Sequence, residues 1–440
     1  MADGMRVKPP KRAASTSPET LPSEPAPEAV RGGSLWHSPD FLKLWAGQSV
    51  SELGTAITRL ALPTAAITLL AAGPFQIGLL NALQLAAYPA LGIVAGVWAD
   101  RIHRRAILIV CDLGRALVLA SVPFAFFAHV LTMGQIYGVA LVVGICSVFF
   151  DVAYQSYLPS LIRREDLVEG NGKLYISRNV AQAAGPAVAG ELIAVLKAAP
   201  AILADSLSYL VSVASLIAIR KPEPIPQPSN GRPPNFRSEV AEGAATVFRH
   251  PILRLLVGST ATSNLGASVI EAVFLVFVYR QLHLTPATVG MLFAVAALSA
   301  VAGAAAAARL AKVFGLGPVI AVSALMYRAC YLAMPLVAFL QPVLVVAVIM
   351  VVSRFFELVY SVNQLSLRQS LVPGRLQGRT SAMVRTVSWG AIPVGSAVGG
   401  VLGAPLGLMP TIALGSALTI TAALWILAGP VRLRHQPPAE

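Results

Sequence analysis

Long apolar runs, each near the length that crosses a bilayer, are separated along this chain by short stretches rich in Pro, Gly, Lys and Arg. Twelve such runs stand out, at residues 43–70, 75–98, 105–127, 133–158, 173–196, 199–219, 253–279, 286–311, 317–339, 342–364, 381–404 and 408–430. A spanning helix needs about 20 predominantly apolar residues. The runs are too long for strands and lack period-two alternation. Backbone polar groups in hydrocarbon must be satisfied internally, so the pattern predicts helices. The expected fold class is an all-α membrane protein with twelve transmembrane helices.

Composition agrees. The 440 residues are 56% hydrophobic and only 12% charged, with mean hydropathy +0.71. Soluble domains carry about 25% charged residues. The net charge of +13 would by itself suggest a polyanionic partner, but the basic residues are arranged by topology. With an even number of helices, both termini and alternate loops share one side. Most of the 33 Lys and Arg residues fall on that side, against Lys197 and Arg280 on the other. Arg59, Arg115, Arg328 and Arg354 lie inside runs. Both ends are therefore expected to be cytoplasmic in a cell-membrane protein, with a lipid bilayer and no nucleic acid as its surroundings.

The first residues are rich in Pro, Ala, Ser and Glu, without an apolar segment behind their basic residues. Such a stretch buries too little apolar surface to order itself; residues 1–40 are expected to be a disordered cytoplasmic tail, not a signal peptide, and 431–440 a second tail. Between the sixth and seventh runs, 221–252 begins as a proline-rich linker and ends, over about 238–249, in a short amphipathic helix. It divides an N-terminal six-helix bundle (41–220) from a C-terminal one (253–430).

The two halves repeat each other. SELG at 51–54 returns as SNLG at 263–266, Gly96 and Arg105 as Gly303 and Lys312, FFDVAY at 149–154 as FFELVY at 355–360, and Arg178 and Pro186 as Arg385 and Pro393. All four matches are shifted by roughly 210 residues and keep their order, which is the mark of an internal repeat. Related halves with a binding site between them are a transporter architecture. The repeat sets Glu52 opposite Asn264 and Arg59 opposite Glu271. A seven-residue spacing is about two helical turns, so each pair shares a face. Arg59 and Glu271 would then approach from opposite halves, and Asp151 and Glu357 form a second symmetric pair.

At this point the chain resembles the major facilitator superfamily. GVWADRIHRR (96–105) is similar to that superfamily's loop between helices 2 and 3. SRNVAQAAGPAVAGEL (177–192) and NQLSLRQSLVPGRLQGRTSAMVRTVSWGAIPVGSAVGG (363–400) resemble the branch of proton-coupled drug antiporters that contains the enterobactin and macrolide exporters. The resemblance implies two pseudo-symmetric six-helix bundles. It implies a cytoplasmic gate in which Gly96 permits close packing, Asp100 sits against a helix N-terminus, where the dipole favours a carboxylate, and Arg101, Arg104 and Arg105 supply the remaining charge. His103 and Trp98 stand where the family has Gly and Leu, Ala307 where the second half would need Asp, and Thr55 where the branch often has Asp.

Seven carboxylates lie within the runs: Glu52, Asp112, Asp151, Glu191, Asp205, Glu271 and Glu357. Charges in a bilayer are costly and point by default to a pathway or relay. Asp112 and Arg115, three apart, read as a structural pair behind the gate. Glu191 and Asp205 read as solvated or capping groups. Asp151, Glu271 and Glu357 are the proton-coupling candidates, because the resemblance places helices 4, 7 and 10 around the cavity and a carboxylate drawn partly out of water holds its proton more tightly. Arg59, Arg354, Glu52, Tyr154 and Tyr360 are the substrate or ion-pair candidates. Arg328 reads as structurally paired, and most aromatics as helix packing.

The cysteines Cys111, Cys146 and Cys330 have no metal or disulfide spacing, and neither HExxH nor a phosphate-binding GxxxxGK[ST] occurs. No cofactor or metal is expected, and no enzyme. The function expected is export of small amphipathic molecules by proton antiport, with a monomer, a small-molecule substrate and the proton as partners. An importer or lysolipid flippase of the same fold, or a non-transporting sensor, are the alternatives.

Overall fold

The computed structural model describes residues 35–99, 101–223, 244–372 and 376–427, and among them every regular element is helical. The first half holds α1 (Pro39–Leu69), α2 (Pro74–Ala99), α3 (Arg104–Phe127), α4 (Met133–Leu161), α5 (Leu167–Leu196) and α6 (Ala198–Ala218). The second holds α7 (Pro251–Arg280), α8 (Pro286–Phe314), α9 (Leu316–Ala329), α10 (Pro342–Leu371), α11 (Gln377–Gly403) and α12 (Leu408–Leu427). Ten of these rods are long and apolar enough to cross a membrane. The other two, α1 and α2, have 31 and 26 residues and correspond in the first half to α7 and α8.

Local chemistry explains the boundaries. Thr132 and Thr285 accept from the amides of Gln135 and Thr288, at 3.3 and 3.2 Å, and so cap α4 and α8. The Nδ1 of His250 accepts from Ile252 and Leu253 at the start of α7, with Pro251 in the first turn. Gly315, at φ +86°, lets α8 turn directly into α9. The run 317–339, expected to be a single helix, tightens into 3-10 turns over Cys330–Ala338, around Pro335. Proline lacks the amide that an α-helix interior requires. Order also begins earlier than expected. Leu35–His37 forms a 3-10 turn, Leu35 is buried, and Trp36 packs edge-on to Trp45 with centroids 5.0 Å apart. Residues 1–34 and 428–440 lie outside the described residues, as do 224–243. Of the expected linker helix, 244–249 is helical.

Packing repeats between the halves. α1 packs on α5 and α6 as α7 does on α11 and α12. α2 packs on α4 as α8 does on α10, and α3 lies against α4 and α6 as α9 does against α10 and α12. The main contacts across the halves, α2 with α11 and α5 with α8, exchange under the same symmetry.

These cross-contacts gather at one end, the end where α1 finishes. Gly78 and Gly290 make them possible. A Cβ on Gly78 would stand 2.4 Å from the Ser396 carbonyl oxygen, and one on Gly290 2.3 Å from that of Pro186. Arg280 donates to the carbonyls of Ala71 and Ala72 at 2.6 and 2.8 Å, and Thr64 and Tyr279 share a hydrogen bond of 3.0 Å. One hydrophobic cluster runs through both halves here, from Ile57 and Leu80 to Val273 and Leu292. Toward the opposite end the core divides, with Phe41, Leu108 and Tyr157 in a cluster of the first half and Leu256, Ile320 and Leu367 in one of the second. Gly92, Gly96 and Gly390 there face open space. The molecule is sealed at one end and cleft at the other.

Candidate functional site: the cleft between the halves

Behind the cleft, the first half contains a buried ion pair. Asp112 and Arg115 are one turn apart on α3 and hydrogen-bonded to each other. The Arg115 guanidinium lies between the rings of Phe150 on α4 and Tyr209 on α6, at 4.4 and 4.3 Å from their centroids. The Tyr209 hydroxyl bonds Thr55 on α1 at 2.8 Å. A buried charge is tolerated when it is paired, and here the aromatic faces add a cation–π contact. The pair ties α1, α3, α4 and α6 together. Asp205, expected to be solvated or capping, is 1% exposed and accepts from Ser208. Gly54 brings α1 close to both residues, so no water-filled space separates the helices there.

In front of this network lie the residues of the cleft wall. Glu52 and Arg59 share one face of α1, as their spacing implies, and line a small recess of about 40 Å3 with Thr55, Ala56, Gln182 and Pro186. Glu52 meets Arg178 of α5, its Oε1 being 3.7 Å from the arginine Nε. Asp151 on α4 accepts a 2.7 Å hydrogen bond from the Tyr88 hydroxyl on α2. Tyr88 packs edge-on against Trp389 of α11 at 5.6 Å. Asp151 therefore connects to the opposite half through one tyrosine. Tyr154 stacks on Phe150 at 5.8 Å, which is packing within its own helix.

The second half is built differently. Arg354 donates to Glu357 at 2.9 Å, one turn along α10, with both side chains well exposed. Glu271 on α7 lies exposed within electrostatic range of Arg354 and Tyr331, so α7 and α10 present their charges to each other. The expected approach of Arg59 and Glu271 from opposite halves is not made: each has its charged neighbours in its own half. Among the described residues no ion pair joins the two halves. Tyr360 is another correction. It is 5% exposed, against Tyr327 at 5.7 Å and beneath the Arg328 guanidinium at 5.1 Å. Arg328 is wholly buried, yet its partners are Ser259, Ser263 and the Ala324 carbonyl rather than a carboxylate.

At the expected gate, Asp100 lies outside the described residues. The first amides of α3, those of Arg104 and Arg105, donate to Glu223 at 2.8 and 3.1 Å. Glu223 stands in the linker just beyond α6, with His103 3.9 Å from its carboxylate. This places a negative charge at a helix start from a segment whose capping role is not legible in the loop motif. Lys221 reaches the Leu161 carbonyl at 2.7 Å, and Arg105 that of Ile217 at 2.7 Å. Arg101 is exposed. Gly96, expected to allow close packing, has nothing within 4 Å of where a Cβ would be. Its repeat mate Gly303 does pack, with the Phe355 carbonyl 2.3 Å from such a Cβ.

Tyr88, Trp389, Arg178 and Arg385 enter the cleft without having been singled out as site residues. Arg178 and Arg385 lie near the starts of the apolar runs 173–196 and 381–404, and α5 and α11 begin several residues ahead of them. Their matching positions in the repeat are the signal that identifies them.

A family model described as "Transmembrane secretion effector", a branch of the major facilitator superfamily, matches residues 36–437. Macrolide efflux protein A of Streptococcus pyogenes is 26% identical over 221 residues, 50% of this chain; the match spans about half (54%) of that relative. The enterobactin exporter EntS of Citrobacter koseri is 23% identical over 418 residues, covering 91% of this chain and 94% of that one. Among solved structures, a bacterial homologue of the iron transporter ferroportin in its inward-facing state superposes with TM-score 0.71 at 15% identity, over 88% of this chain and 98% of the other. The outward-facing state of such a homologue reaches 0.55 at 16% identity, with the same coverage. The multi-pass helical architecture, the paired halves and the family match agree: the chain belongs to the transmembrane secretion effectors of the major facilitator superfamily, a family of membrane transporters.

Proposed function

We propose that the chain is a secondary active exporter of small amphipathic molecules, driven by proton antiport through alternating access. The observation that carries this reading is the contact of the two halves at one end and their divided core at the other, and the charged groups Glu52, Arg59, Asp151, Arg354 and Glu357 within the membrane-spanning helices support it. The halves 41–220 and 253–430 rock about the linker 221–252, and both termini lie in the cytoplasm of a monomer spanning the cell membrane with all twelve helices. The open end then faces the cytoplasm. The enrichment of Lys and Arg at that end supports this orientation, and the higher TM-score against an inward-facing relative supports the state. The macrolide and enterobactin efflux relatives support export rather than uptake.

Asp151 is the leading coupling residue. As an anion it accepts from Tyr88; once protonated it becomes a donor and the Tyr88 hydroxyl loses its best acceptor. Tyr88 touches Trp389 in the other half, so the change reaches the surface on which the halves meet. Glu357 and Glu271 lie around Arg354 and supply a second cluster of charge. A ligand moves such an equilibrium only by its differential affinity for the two states. Proton entry and substrate release are then the two biases on one rocking motion.

Proteoliposomes with an imposed pH gradient test this, using the dye Hoechst 33342, erythromycin and 1-naphthoate as cargo. The full chain should move at least one of them in a gradient-dependent way. A chain carrying Asp151→Asn and Glu357→Gln together should fall to the level of empty liposomes. Absence of gradient-driven movement by the unmodified chain, or its persistence in the double variant, would overturn proton antiport.

A further inference from the structure

Arg178 and Arg385 are repeat mates, each about two turns ahead of a proline, Pro186 or Pro393. Arg178 has Glu52 as its counter-ion. In the second half the place of Glu52 is taken by Asn264, whose amide is already spent on the Ser388 carbonyl at 2.8 Å. Among the described residues no carboxylate pairs with Arg385. The charge with which it interacts from α10 is another guanidinium, Arg368. Like charges held together without a counter-ion raise the energy of the empty cleft, and an anion relieves it.

The surroundings say what kind of anion fits. The Arg385 guanidinium carbon is 5.4 Å from the centroid of Trp389, and that indole is 44% exposed. On its other side Trp389 meets Tyr88, which Asp151 holds in place. Along α11, Trp389 lies between the sealed contact at Gly400 and the open end, at the contact of α11 with α2. A guanidinium fork matches a carboxylate in two parallel hydrogen bonds. An exposed indole edged by a tyrosine accepts a flat ring in stacked or edge-on geometry.

We propose that Arg385, Trp389 and Tyr88 form a subsite for aromatic carboxylates, with Arg385 taking the carboxylate and Trp389 the ring. This rests on the exporter reading of the cleft and narrows its cargo to amphipathic aromatic acids. Asn264 is what keeps the subsite vacant of an internal carboxylate.

The test is calorimetric titration of the purified full chain in detergent with 1-naphthoate, its neutral isostere 1-naphthamide, and cyclohexanecarboxylate. A charge-assisted bidentate contact should favour naphthoate over naphthamide by about tenfold. Arg385→Gln should abolish that preference, and Arg385→Lys should retain part of it. Asn264→Glu, which restores the carboxylate present in the first half, should weaken naphthoate by about the same factor. Thermal unfolding of each variant reports whether it is folded. The proposal is overturned if naphthoate and naphthamide bind alike, if Arg385→Gln keeps the preference, or if cyclohexanecarboxylate or added phosphatidylglycerol competes as well as naphthoate. Binding is read without a gradient. A chain that binds through Arg385 but moves nothing in vesicles loses the exporter reading alone, and one that transports without Arg385 dependence loses the subsite alone.

Discussion

The first half pairs Arg115 and Arg178 with carboxylates, whereas among the described residues the arginines on the equivalent helices of the second half, Arg328 and Arg385, have none. Arg115 has Asp112 and Arg178 has Glu52. At the equivalent helices of the second half, Arg328 is enclosed by hydroxyls and tyrosines, and Arg385 has an indole and a neighbouring cation. The second half's carboxylates, Glu271 and Glu357, gather instead around Arg354. Both halves descend from one plan of helices, so the helices do not explain the difference. One side of the cleft is electrostatically complete, and the other is left to be completed by a proton, an anion or a movement.

The largest effect should come from breaking the complete side. Asp112→Ala strands Arg115 in a buried site, and losing one member of a buried pair costs about 3–5 kcal/mol. Thermal unfolding in detergent should show a large drop or loss of the folded protein. Arg328→Met should cost much less, on the order of 1 kcal/mol, because no ion pair is broken and a chain of similar length fills the space. Equal losses would mean that Arg328 has a counter-ion in solution and that the asymmetry is not real.

Next in size is the contrast between the sealed and open ends. Gly290→Leu forces a side chain against the Pro186 backbone, and overpacking of this kind costs about 1–3 kcal/mol. That is enough to shift a two-state equilibrium by about five- to 160-fold. Efflux should fall correspondingly, and a cysteine placed near residue 74 should become more reactive to a membrane-impermeant thiol reagent. Gly96→Leu, at the open end, should leave reactivity there unchanged or reduced, because it meets its obstacle only when that end closes.

The smallest effect should be at the Glu52–Arg178 pair. Its side chains are 29% and 54% exposed and 3.7 Å apart, so Glu52→Gln should change stability by no more than about 1 kcal/mol. Its value as a control is electrostatic. It leaves Arg178 as unpaired as Arg385, and the first half should then gain affinity for 1-naphthoate if an unmatched guanidinium is what recruits the acid.

Much of the fold was legible because hydropathy is a one-dimensional signal: a run of about 20 apolar residues has few places to go except across the bilayer. The repeat was legible from SELG, FFDVAY and their mates, and the corresponding helix contacts follow it. Pairs on one helix were legible too, since a spacing of three or four residues is a contact by construction. Asp112 with Arg115 and Arg354 with Glu357 are of that kind. Tyr360 was not legible in this way, because its burial is set by Tyr327 and Arg328 on a neighbouring helix and not by its spacing from Glu357.

By itself the sequence determined that the chain is a series of apolar helices, the order of those helices, and the turns at which charges sit. Only the tertiary structure decided which charge meets which. Asp151 with Tyr88, Glu52 with Arg178, Glu223 with the start of α3, and Arg385 with Trp389 are all contacts between different segments. So is the meeting of α2 with α11 and α5 with α8 at one end alone. Coulomb and hydrogen-bond energies depend on distances of a few ångströms between helices, and spacing along the chain carries no record of those distances.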